Sequence, residues 1–155
     1  MNQALKDAFD SAARFLRIIE RGETGAIPEV ELEDHLEKNA ALYHFWTGEN
    51  GISKIEDSLE LNEKNFKNWL AEEQYRIKLQ LREDWGKNAS ITKDDILGKM
   101  LLKPELKSIY VEFQNEIHNL NGDIRILKSL IESIDKRGFH LSTILKRYDK
   151  GLIKS

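Results

Sequence analysis

The segment YRIKLQLREDWGKN, residues 75–88, interleaves Tyr75 and Trp85 with Arg76, Lys78, Arg82 and Lys87. On a helix, Lys78 and Arg82 are i,i+4 neighbours and make one positive ridge, at a small cost in like-charge repulsion. Such a ridge can neutralise phosphates, which gives affinity that ignores base sequence and falls steeply with salt. Aromatic rings beside it can stack on unpaired bases. A second basic stretch, SIDKRGFHLSTILKRYDKG at 133–151, carries Lys146 and Arg147 on the polar side of a short amphipathic segment. These six cations are the candidate nucleic-acid contacts. The plain alternative is that Tyr75 and Trp85 belong to the core and the charges simply face water.

Other chemistries find little support. The chain has no cysteine, so disulfides, thiol catalysis and cysteine-ligated zinc are excluded. His35, His44, His118 and His140 are far apart and lack partners at metal-ligand spacing. Asp94 and Asp95 stand two and three residues after Thr92, where carboxylates favour a helix N-terminus. There is no P-loop, glycine-rich phosphate cradle or nucleophile elbow. The expectation is a protein without catalysis, metal or cofactor. No apolar run approaches the ~20 residues of a membrane span, and no signal peptide is legible. A cytoplasmic location is expected.

The net charge of −3 by itself predicts no polyanion binding, but the charge is unevenly spread. Residues 20–63 hold 12 acidic and 3 basic side chains, whereas 76–103 hold 7 basic and 4 acidic, and 136–155 hold 6 basic and 1 acidic. Two basic segments on an acidic protein can bind a polyanion locally. They can equally pair with the acidic segment of a neighbouring subunit.

Helical periodicity recurs throughout, with no sustained alternation of the strand type. Leu5, Phe9, Ala12, Leu16 and Ile19 form one stripe over 1–22, with Gly22 as its C′ residue. A helix over 28–46 starts on Pro28 and closes in an aromatic patch. Ser53 with Glu56 spells a capping box for a helix over 53–85. Thr92 with Asp95 opens a short helix, and Pro104 begins a long one. There Leu106, Tyr110, Phe113, Ile117, Leu120, Ile124, Leu127, Ile131 and Ile134 alternate steps of four and three, a heptad seam. The seam keeps its phase across Gly122, so Asn121-Gly122 reads as helix rather than turn. Gly138 reads as the stop, with Phe139 touching Ile134 in a Schellman cap and Lys136 and Arg137 complementing the helix dipole. A basic helix over 141–153 follows.

Helices over 53–85 and 104–137 would each span about 50 Å at about 1.5 Å per residue. The predicted fold is therefore all-α: a single domain over 1–155, an elongated antiparallel hairpin of two long helices with short flanking helices. Its uncovered apolar surface predicts self-association.

One further pattern carries a resemblance. An acidic first part is followed by FKNWL, the basic IKLQLRED, a WGK loop, KPEL and a long seam closing in LIESIDKRGFHLSTILKRYDKG. This resembles the phage recombination mediators of the UvsY type over 36–151, most sharply over 124–151. Leu42-Tyr43-His44-Phe45-Trp46 matches that family's leucine-aromatic-x-x-tryptophan element. The resemblance implies an all-helical, ring-forming homo-oligomer that binds single-stranded DNA. It also implies a partner recombinase, which such proteins help to displace single-strand-binding protein. The family's basic position falls on Lys78. Its second basic position is Gln80 here, a departure that Arg76 and Arg82 would have to compensate. A phage-encoded protein of this kind would work in the host cytoplasm. The competing expectation is a helical scaffold or assembly chaperone with no DNA role.

Overall fold

A computed structural model describes residues 1–20 and 28–151, the side chains of 17–20 excepted. Among the described residues the chain is all-helical, with no strand. The described residues form five helices in order: α1 (Gln3–Glu20), α2 (Glu29–Thr47), α3 (Ile52–Trp85), α4 (Lys93–Leu101) and α5 (Pro104–Asp149). The expected C′ residue Gly22 lies outside the described residues, as does Leu152 of the expected last helix.

Local chemistry explains most of the boundaries. Pro28 precedes α2 in an extended conformation, and Glu29 and Glu31 sit in the first turn, where the helix dipole favours carboxylates. Gly86, at φ +97°, ends α3 and donates its N–H to Arg82 O at 3.0 Å. The Thr92–Asp95 capping box is formed: Asp95 N donates to Thr92 Oγ1 at 3.2 Å, and Thr92 N donates to Asp95 Oδ2 at 2.8 Å. Ser53 does not act as a cap, because α3 already begins at Ile52. The reason lies in the preceding turn. Gly51 N–H bonds to Gly48 O at 3.1 Å, and a Cβ at Gly51 would come within 2.3 Å of Trp46 O. The chain folds so tightly onto the end of α2 that α3 starts immediately after Gly51.

The main correction concerns Gly138. The expected stop, and with it the division into 104–137 and 141–153, is not there. α5 runs unbroken to Asp149. Gly138 lacks the positive φ of a C′ residue, and the expected Phe139–Ile134 cap contact gives way to a Phe139 that is 78% exposed. Gly138 serves close approach instead: a Cβ there would lie 2.8 Å from Asn39 Nδ2. The glycine that does end α5 is Gly151, at φ +65°, with its N–H on Tyr148 O at 2.8 Å. Lys146 and Arg147, not Lys136 and Arg137, occupy the last turn, where the dipole favours cations.

Packing divides the chain into two compact units, Met1–Glu56 with Gly122–Ser155 and Asp57–Asn121, the boundary falling inside α3 and α5. In the 57–121 unit, Ile77, Leu81, Ile96 and Met100 are buried, with Trp69, Leu70, Leu106 and Tyr110 packed around them. Phe66 meets the rings of Tyr110 and Phe113, each at 5.5 Å between centroids. The seam residues Leu106, Tyr110, Phe113, Ile117 and Leu120 are half-buried here.

In the other unit, Ile124, Leu127 and Ile134 are buried and Ile131 is half-buried. Leu32, Leu141 and Ile144 join α2 to the end of α5. α1 docks on α2 through a T-shaped Phe9–Trp46 pair at 6.3 Å and a stacked Phe15–His35 pair at 5.9 Å. Each fully buried aliphatic side chain contributes roughly 1.5–3 kcal/mol relative to exposure.

Candidate nucleic-acid interface

α3 turns its apolar side, with Ile77 and Leu81, toward α4 and the start of α5. At 3.6 residues per turn Trp85, Lys78 and Arg82 then run in a stripe along one flank of that apolar side, with Tyr75 and Leu79 farther round toward the opposite side, Lys78 half-buried and the other four exposed. Tyr75 is 65% exposed and Trp85 53% exposed, so neither ring is core. Among the described residues neither Lys78 nor Arg82 makes an ion pair. The arrangement offers two cations one turn apart with an aromatic ring toward each end. It can hold phosphates along the ridge and a base against either ring.

Not every predicted contact joins that stripe. Arg76 lies at least a third of a turn from the Lys78–Arg82 ridge and is bound to Glu73 at 2.8 Å. Lys87 stands beyond the Gly86 turn, exposed. Gln80 accepts from Lys103 Nζ at 3.0 Å, and Asp84 pairs with Lys99 at 3.4 Å. Gln80 thus brings an unforeseen lysine alongside α3. Lys146 and Arg147 are exposed on the last turn of α5 and belong to the other compact unit.

No family model, curated protein or solved structure matches the chain.

Sequence reasoning missed one cluster altogether. Arg137 is buried between α1, α2 and α5. Its Nη1 donates to Asn39 Oδ1 at 3.1 Å, its Nη2 lies 3.3 Å from His35 Nδ1, and its guanidinium sits 4.0 Å above the Phe15 ring. Asn39, also buried, donates from Nδ2 to Ile134 O at 2.9 Å. No carboxylate among the described residues pairs with Arg137, and its Nε has no partner. Burial lowers its pKa to about 10, so it remains charged near neutrality. The signal was available: Arg137 stands three residues after Ile134 and four before Leu141, in phase with the seam. A cation at that position looked like the end of the apolar stripe, whereas it is a polar residue within it.

Proposed function

We propose that this chain is a non-catalytic single-stranded-DNA-binding protein that acts as a recombination mediator, helping to load a recombinase on DNA covered by single-strand-binding protein. The observation that carries the DNA-binding part is the α3 stripe, where Lys78 and Arg82 stand beside the exposed rings of Tyr75 and Trp85. The mediator role rests on the resemblance to the UvsY-type family. Homo-oligomerisation, with α3 and α5 paired as a hairpin, is part of the proposal. It is supported by the half-burial of the seam from Leu106 to Leu120 and by exposed Leu61, Ile109 and Val111 in the same unit. Apolar surface of this kind is commonly covered by association.

Fluorescence anisotropy with labelled oligothymidine tests the reading. Binding should be tight at low salt and weaken steeply as salt rises. Charge reversal in K78E/R82E should abolish it while helicity by circular dichroism stays unchanged. A wild-type protein that fails to bind at low salt sinks the proposal. The uneven charge favours a second reading, a helical scaffold in which the basic segments pair with acidic segments between subunits, so that its oligomer is indifferent to DNA and dissociates in high salt.

A further inference from the structure

The continuity of α5 through Gly138 changes what the residues after it can do. Lys136, Phe139, His140, Lys146, Arg147 and Lys150 fall on one side of the helix, and all six are exposed. Lys136 is bound to Glu132 at 2.7 Å, but Lys146, Arg147 and Lys150 make no ion pair among the described residues. Phe139 stands in this row of cations, 78% exposed, more than any other aromatic ring among the described residues. Beside it an open groove of about 850 Å³ runs between α2 and α5. Small residues, Ala40, Gly138 and Ser142, leave the space, and Tyr43, Phe139 and His140 border it. That volume falls in the range of ~300–1,000 Å³ typical of small-molecule sites.

We propose that this groove is a second contact for single-stranded nucleic acid. A base stacks on Phe139 within the groove, and the adjoining phosphates lie along Lys146, Arg147 and Lys150. The proposal rests on the DNA-binding reading above and extends it to the unit that α3's stripe does not serve. Cations alone would suit any acidic partner. An exposed ring standing among them, on the lip of a groove with a second aromatic wall, suits a planar base joined to a phosphate chain. Asp135 also lines the groove and Glu132 flanks it, so attraction comes chiefly from the 146–150 end.

The test uses the full chain, labelled oligothymidine at low salt, and ultraviolet cross-linking followed by peptide mapping. Phe139→Ala should weaken binding roughly tenfold or more, with helicity unchanged because the ring touches little. Phe139→Trp should restore it, K146E/R147E should weaken it, and cross-links should appear on the peptide containing residue 139. Wild-type affinity in F139A, with cross-links confined to 75–88, would overturn the groove and leave the α3 reading standing. Absence of binding by the wild type would remove both. If F139A lowers the oligomer mass and leaves affinity intact, the face joins copies of the chain and the proposal is wrong.

Discussion

Two glycines of α5 have opposite roles, and single substitutions should separate them. Gly122 has nothing within 4 Å of a would-be Cβ. Gly122→Ala should therefore stabilise the protein by about 1 kcal/mol through helix propensity alone. Gly138→Ala brings the same propensity gain but drives a methyl to 2.8 Å from Asn39 Nδ2. The Asn39 amide is held by Ile134 O and Arg137, so it cannot yield without losing a buried hydrogen bond. A net loss of about 1–2 kcal/mol is expected. Urea midpoints of the two variants check both signs, and stabilisation by G138A would disprove the close-approach role.

Arg137 belongs to the same scale. Its folded-state pKa lies below its ordinary value, so folding disfavours the charged form, and that cost is fully present at neutral pH and fades only as pH rises above about 10. Replacing the side chain with an apolar one of similar length removes the cost along with the partnerless Nε. Arg137→Met also strips the donor from buried Asn39 Oδ1, so the two effects offset and it should stay within about 1 kcal/mol of the wild type. Arg137→Ala should cost about 2 kcal/mol or more, because it leaves a cavity where the long buried side chain stood. A thermal or urea unfolding series in which R137M falls as far as R137A would show that the charge itself stabilises the bundle.

At the scale of the element, the start of α4 depends on reciprocal hydrogen bonds. The side-chain bond from Thr92, with the backbone bond second, holds the Asp95 carboxyl below the usual carboxylate range. A depressed folded-state pKa means that the capping contribution is present above the ordinary carboxylate pKa and is lost as pH falls through the folded value. Thr92→Ala should lower the melting temperature near pH 7, and its deficit against the wild type should shrink below about pH 4. A deficit independent of pH would mean that Thr92 acts without Asp95. Gly51→Ala should also be destabilising, since the methyl would collide with Trp46 O, a backbone atom that cannot move aside without disturbing α2.

At the scale of the whole molecule, association and DNA binding can be read together. Light scattering with and without oligothymidine should give a mass above that of the 18.0 kDa chain and a further increase on DNA addition. A monomer at micromolar concentration would contradict the proposed oligomer, whereas an oligomer unchanged by DNA favours the scaffold. No helix among the described residues is long and apolar enough to cross a membrane.

Helix type and most helix limits were legible because they depend on neighbours a few residues apart. The four-and-three spacing of the seam, the Thr92–Asp95 box, the Pro104 start and the passage of α5 through Gly122 all depend on such local relations. The candidate DNA stripe was legible for the same reason: i,i+4 spacing alone puts Lys78 beside Arg82. What depended on residues about a hundred positions apart was hidden. Gly138 looks like a stop until Asn39 arrives against it, and Arg137 looks like a solvated cation until Phe15, His35 and Asn39 enclose it. Whether Tyr75, Trp85 and Phe139 face the core or water is likewise a result of packing, since an aromatic ring fits either role until its neighbours are in place. The sequence by itself determined the helices and their amphipathic sides, because periodicity is local physics. Only the tertiary structure decided which polar groups are buried, which aromatic rings are exposed and where the last helix ends, because those outcomes depend on surfaces that meet only after the chain has folded.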